Sequence, residues 1–94
     1  MAFFAVTYTY APDPRRDEVR PAHRAFLGGL AERGVIRASG PCPGTEPAQA
    51  LLVLEVDSAE AAREALADDP FQQESMVADI AVVEWNPIIG DLAR

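Results

Sequence analysis

Few groups in this chain could do chemistry, and its single histidine, His23, leads them. In the run from Asp17 to Leu30, the residues Val19, His23, Phe26 and Leu30 recur at the spacing of one helix face. The imidazole therefore points where apolar side chains point, toward a core or the floor of a cleft. Two readings stay open on this pattern. A core histidine satisfied by a hydrogen bond fits it, and so does a site base, because imidazole changes charge near neutral pH. A base needs a group that fixes its tautomer, and Asp69 in Asp68-Asp69-Pro70-Phe71 is a candidate. Sequence spacing does not bring Asp69 to His23, and the residue reads more simply as a helix stop before Pro70.

The remaining polar candidates are equally two-sided. Arg20 could hold an anionic or enol oxygen in its fork of donors, or it could be an ordinary ion-pair residue. Gly40 permits close approach of a ligand to the backbone, and it also suits a turn. Cys42 stands between Pro41 and Pro43 with no adjacent base to activate it, so a loop residue is favoured over a nucleophile. One histidine and one cysteine cannot build a zinc cage of nitrogen and sulfur ligands, and no metal or cofactor is expected. Trp85 and the aromatic residues near the N-terminus read as core or interface. Asp57, Glu60, Glu64 and Asp68 read as a solvated helix face.

The elements that must position these groups follow from periodicity and punctuation. Ala2 to Tyr10 alternates aromatic and β-branched residues and stops at Ala11-Pro12-Asp13-Pro14, which predicts a strand and a turn. The helix carrying His23 is predicted to start at Pro14 or later, even close to Pro21, and to end at Gly34. Val35 to Ser39 predicts a short strand, closed by a loop at Gly40-Pro41-Cys42-Pro43-Gly44. Ala50 to Val56 predicts a third strand. Asp57-Ser58-Ala59-Glu60 resembles a capping box for a second helix, which Asp69-Pro70 breaks. Phe71 to Met76 suits one helical turn, and Ile80 to Trp85 a last strand before Asn86-Pro87. The tail from Ile88 to Arg94 is left open between coil and a partner contact.

The order β-α-β-β-α-β predicts an α+β, ferredoxin-like fold with a four-stranded antiparallel sheet and both helices on one face. The strands are apolar on both sides: Leu51, Val53, Ala81 and Val83 oppose Leu52, Leu54, Ile80 and Val82. A lone copy would expose one of those faces as a large patch, so a homodimer packed sheet against sheet is expected.

Composition bounds what remains. The chain has 94 residues, enough for one domain over 1–94, and no internal repeat or linker is visible. It is 49% hydrophobic and 24% charged, the balance of a globular protein. Fifteen acidic residues against eight basic ones, all arginine, give a net charge of −7. That balance argues against nucleic acid and anionic membranes, since both need a basic patch. The lone cysteine points to a reducing compartment. The N-terminus lacks the features of a signal peptide, and no apolar run reaches membrane-spanning length, so a cytoplasmic protein is expected.

Taken jointly, Arg20-Pro21-Ala22-His23, Ala38-Ser39-Gly40-Pro41 and Asp68-Asp69-Pro70-Phe71 closely resemble the YCII family of YciI-like proteins, in the right order and spacing over nearly the whole chain. The resemblance implies a ferredoxin-like chain that forms a dimeric α+β barrel. It implies a histidine–aspartate pair in a pocket, carried to His23 and Asp69 as catalytic residues. It also places Arg20, Ser39, Gly40 and Phe71 at substrate-binding positions. A related member dehydrochlorinates a chlorinated hydroxyquinol, which implies cofactor-independent acid–base chemistry on a small molecule. Two rivals stand beside that expectation: a dimer that binds a small ligand without chemistry, and a cofactor-free monooxygenase of the dimeric α/β-barrel type. The loop from Pro41 to Pro47 is compact, and it could form part of the pocket wall that selects the substrate.

Overall fold

The computed structural model describes residues Met1–Ala93; Arg94, the last residue of the tail, lies outside them. The elements run β1 (Ala2–Tyr10), α1 (Arg16–Glu32), β2 (Ile36–Cys42), β3 (Gln49–Val56), α2 (Ala59–Leu66), α3 (Pro70–Gln73) and β4 (Val77–Trp85). The strands form one antiparallel sheet in the order β2-β3-β1-β4. This is the ferredoxin-like α+β arrangement that the sequence pattern predicts, with a short third helix added. None of the described helices is long and apolar enough to cross a membrane.

The alternation of β1 divides the sheet into two faces. Phe4, Val6, Tyr8 and Tyr10 turn toward the helices and join Leu52, Leu54, Leu27, Leu30, Leu66 and Met76 in the core. Burial of such side chains is the main force holding the helices to the sheet, at roughly 1.5–3 kcal/mol for each one fully buried. On the opposite face, Leu51, Val83 and Trp85 remain 44%, 59% and 42% exposed.

Helix α1 begins before Pro21 rather than at it. Arg16 opens the helix and Asp17 and Glu18 occupy its first turn, so Pro21 lies in the second turn, at the loss of one backbone hydrogen bond. The exposed position of Pro21 leaves the freed carbonyl of the preceding turn near water. The buried stripe is centred on His23, Leu27 and Leu30, while Val19 and Phe26 flank it half-buried. Gly34, at φ +79°, ends the helix. Its N–H donates to the Ala31 carbonyl at 3.0 Å and that of Val35 to Leu30 at 2.9 Å, the paired closure that a left-handed residue permits.

Three boundaries differ from the sequence pattern. β2 continues through Gly40, Pro41 and Cys42, where a loop is predicted. Proline survives there because β2 is an edge strand, and its missing N–H can face outward without breaking the ladder. The turn to β3 comes later and contains a cis Glu46–Pro47 bond. α2 is capped by Ser58, whose side chain accepts from the Ala61 N–H at 3.0 Å. The third helical residue is thus Ala61 rather than Glu60, so the reciprocal half of a capping box is missing. β4 begins at Val77, three residues before the predicted start, because β1 is long enough to pair with it as far as Tyr10. The tail beyond Trp85 is irregular, with Pro87 buried and Ile88 and Ile89 exposed.

Candidate active site

The site is organised around a carboxylate with no exposure at all. Asp69 caps α3 and follows α2, so it is held between two helix ends at the edge of the core. A buried charge is tolerated only when its oxygens are filled by donors. Here they are. Oδ1 accepts from the Phe71 N–H at 3.0 Å and from His23 Nδ1 at 2.8 Å, and Oδ2 accepts from the Tyr8 hydroxyl at 2.8 Å.

Tyr8 reaches Asp69 from the middle of β1. Gln72 Nε2 donates to its hydroxyl at 3.1 Å, which leaves the hydroxyl proton to go to Asp69, and the same amide donates to the Leu66 carbonyl at 3.0 Å. Burial pushes the Tyr8 phenol well above its ordinary 10.0, and the neighbouring Asp69 charge adds to the rise while the Gln72 hydrogen bond opposes it. Tyr8 is therefore a fixed neutral donor. Tyr10 is also shifted upward, first by burial and then by Asp69, against a downward pull from Arg16 and Arg20.

Acceptance by a carboxylate fixes the His23 tautomer with its proton on Nδ1. Phe71 stacks flat on the ring, 4.0 Å between centroids at an interplanar angle of 13°. Phe71 in turn meets Tyr10 edge to face at 5.4 Å. The imidazole is thus locked by a hydrogen bond at one end and by an aromatic plate on one side. Among the described residues, every buried side-chain nitrogen and oxygen has a partner. Nε2 has none within the protein, so it is the nitrogen that reaches the cleft His23 lines.

That cleft, of about 470 Å³, runs between α1 and β2 over the β3 side of the sheet. Arg20, Ser39, Gly40 and Phe71 line it together with His23, whereas Asp69 stands behind the imidazole and does not reach the wall. Ser39 pairs with Leu52 in the sheet and so shares its helix-side face, directed into the cleft. Arg20 pairs with the exposed Asp17 one turn earlier. Cys42 falls at the end of β2, half-buried and outside this wall.

Several wall and support residues escape a reading of the sequence. Arg24 lines the cleft one turn beyond Arg20, a spacing that the helical period could have signalled. Gly28 and Ala31 continue the same side of α1, and a Cβ added at Gly28 would meet nothing within 4 Å. Tyr8 reads as one more core aromatic in an alternating strand, and Gln72 carries no signal at all.

The fold is shared with solved structures of several activities. A 5-chloro-2-hydroxyhydroquinone dehydrochlorinase from Burkholderia phenoliruptrix, solved in complex with 2,5-dihydroxybenzoquinone, superposes with a TM-score of 0.75. It is 24% identical, over 89% of this chain and 93% of that one. A muconolactone isomerase is similar at a TM-score of 0.68 and 20% identity, covering 100% of this chain and 97% of its own. An antibiotic biosynthesis monooxygenase follows at 0.59 and 16%, over 95% and 100% of the two chains. No curated protein matches the sequence. The model of the YCII-related domain matches residues 2–86, and the chain belongs to that family.

Proposed function

We propose that this protein is a cofactor-independent acid–base enzyme acting on a small molecule, with His23 as the proton-transferring group. The observation that carries the proposal is the His23–Asp69 pair, with Nδ1 bound to a buried carboxylate and Nε2 open to the cleft. In this geometry Nε2 takes a proton from an acidic C–H or O–H of the substrate. Asp69 holds the ring in place and stabilises the imidazolium that results. The electron pair left on the substrate either moves to expel a leaving group, as in an elimination, or waits as an enolate until His23 returns the proton. Arg20 and the backbone near Gly40 face the same space and would hold the oxyanion as it develops. Ser39 offers a hydroxyl for orientation, and Phe71 a flat wall beside the base. The likeness to a dehydrochlorinase fold bound to a dihydroxybenzoquinone favours a hydroxylated ring as the substrate.

The functional unit in this proposal is a homodimer, because the outer sheet face presents Leu51, Val83 and Trp85 to solvent in one copy. Cys42 is a free thiol, in keeping with a reducing, cytoplasmic setting.

The test is chloride release from 5-chloro-2-hydroxyhydroquinone, with solvent deuterium uptake into enolisable ring ketones as a second assay. His23→Asn is expected to lower either rate by about 10²–10⁴-fold, the usual contribution of a general base. A rate unchanged in His23→Asn would sink the proposal. Ligand binding with no product and no deuterium uptake would leave a binding role in its place.

A further inference from the structure

Helix α1 carries arginines at positions 16, 20 and 24, one per turn, and the three have different commitments. Arg16 lies over the Tyr10 ring at 5.0 Å and donates to the Ala11 carbonyl at 3.3 Å, so it is part of the support. Arg20 pairs with Asp17, a carboxylate 87% exposed, and such a pair is easily exchanged for another anion. Arg24 has no hydrogen-bond or ion-pair partner among the described residues. Arg37, on β2, is bound to Glu55 at 2.6 Å and lies over the Phe3 ring, which turns its guanidinium to the outer face of the sheet.

The distribution of charge is opposite to that of the chain. Fifteen carboxylates stand against eight arginines overall, yet no carboxylate lines the cleft, while Arg20 and Arg24 of α1 do. The nearest buried carboxylate, Asp69, is turned away from the opening and surrounded by three donors. Low-dielectric walls concentrate the field of the arginines inside the cleft, while the acidic surface elsewhere repels anions. Beyond Arg24 the wall turns apolar through Leu27, Ala31, Ile36 and Leu52. A cleft with a cationic mouth and an apolar end fits a ligand with an anionic group on an apolar ring. Its volume of about 470 Å³ leaves ample room for a small cyclic compound.

We propose that the cleft selects a small cyclic anion, a ring carboxylate or ionised enol, and that Arg24 is the residue that reads its charge, with Arg20 as the second donor. This deepens the acid–base reading and rests on its premise that the ligand lies beside His23. A guanidinium fork matches a carboxylate with two parallel hydrogen bonds, so the anion gains orientation as well as attraction.

Salicylate and salicylamide, nearly equal in shape and different in charge, are the probes. Affinity is read by NMR titration of the His23 ring signals. Salicylate is expected to bind at least about tenfold more tightly than the amide, as charge-assisted hydrogen bonds give. Arg24→Gln removes that margin and leaves the amide unaffected, Arg24→Lys recovers part of it, and added salt narrows it. Equal affinity for the two probes, an equal loss for both in Arg24→Gln, or no binding of salicylate at millimolar concentration overturns the inference. Charge-blind binding with His23-dependent turnover would remove the anion selection and keep the acid–base function. Arg24-dependent anion binding without turnover would do the reverse.

Discussion

The two faces of the sheet solve opposite problems with the same strands. On the helix side, polar atoms are buried: Asp69, His23 and Tyr8 sit inside the protein, each with its partners supplied by the same chain. On the outer side, apolar atoms are exposed: Leu51, Val83 and Trp85 meet solvent, although Phe3 and Val53 on the same face are buried. The polar cluster is costly to build, because each group loses water and must be paid back by geometry. The apolar patch is costly only while it stays uncovered. The first is finished within one copy, and the second calls for another. The proposed chemistry and the proposed assembly therefore draw on different faces, even though both depend on the strand that carries Tyr8 on one side and Ala5 on the other.

The largest effect should come from emptying the buried cluster. Asp69→Ala leaves the His23 ring nitrogen, the Tyr8 hydroxyl and the Phe71 N–H without an acceptor. A loss of about 3–5 kcal/mol is expected, a large part of what a chain this size has. Urea unfolding measures it, and a loss below about 1 kcal/mol would show that water fills the site at little cost. Asp69→Asn keeps the volume, and is expected to cost less stability while lowering the proposed activity.

Tyr8→Phe breaks one hydrogen bond to the buried carboxylate and should cost about 1.5–3 kcal/mol. It also changes the response to alkali. The folded Tyr8 and Tyr10 hold their protons above the ordinary 10.0 of the unfolded chain. Their contribution is fully present below that value. It declines as pH rises further, because the unfolded tyrosines ionise more readily than the folded ones. Stability should therefore fall above about pH 10, by up to roughly 1.4 kcal/mol per pH unit through Tyr8, with Tyr10 adding in the same direction. In Tyr8→Phe the slope is expected to drop to that of Tyr10 alone. An unchanged slope in alkaline unfolding would mean that Tyr8 is not the group holding its proton.

What the sequence shows of this comparison is uneven, for physical reasons. The alternation in β1 and the apolar pattern of β3 and β4 follow from a period of two residues, which is local and readable. Gly34 announces the end of α1 because a left-handed residue favours glycine, and the structure places it at φ +79°. At the end of α3 the same closure is made by Ser75, at φ 59°, with Met76 N–H reaching the Phe71 carbonyl at 2.9 Å. No glycine marks that turn, so its position is not legible. The course of β2 through Pro41 depends on its place at the sheet edge, a property of topology rather than of local sequence. For the site, a helical period puts His23 on a buried stripe, but its partner is 46 positions away. Only the resemblance joins Asp69 to it, since no periodicity spans two elements. Tyr8 and Gln72 stay hidden for a related reason: their roles come from where their hydroxyl and amide end, not from where their backbone lies.

The smallest effect on the site should come from the most disruptive change to the outer face. Val83 lies opposite Ala5 in the register, on the edge strand β4, and is the most exposed of the three apolar residues on this face at 59%. Val83→Glu changes an exposed position, so the stability of the single copy should move by no more than about 0.5 kcal/mol. In a two-fold assembly the same substitution occurs on both surfaces, which places like charges in an apolar contact. The proposed dimer is expected to dissociate, as read by sedimentation, while the His23 Nδ1 proton signal and the affinity for salicylate remain. Survival of both readouts in the monomer would confirm that the polar cluster and the cleft belong to one chain. Their loss on dissociation would mean that a second copy holds the cleft in shape, and the two faces would then be one device rather than two.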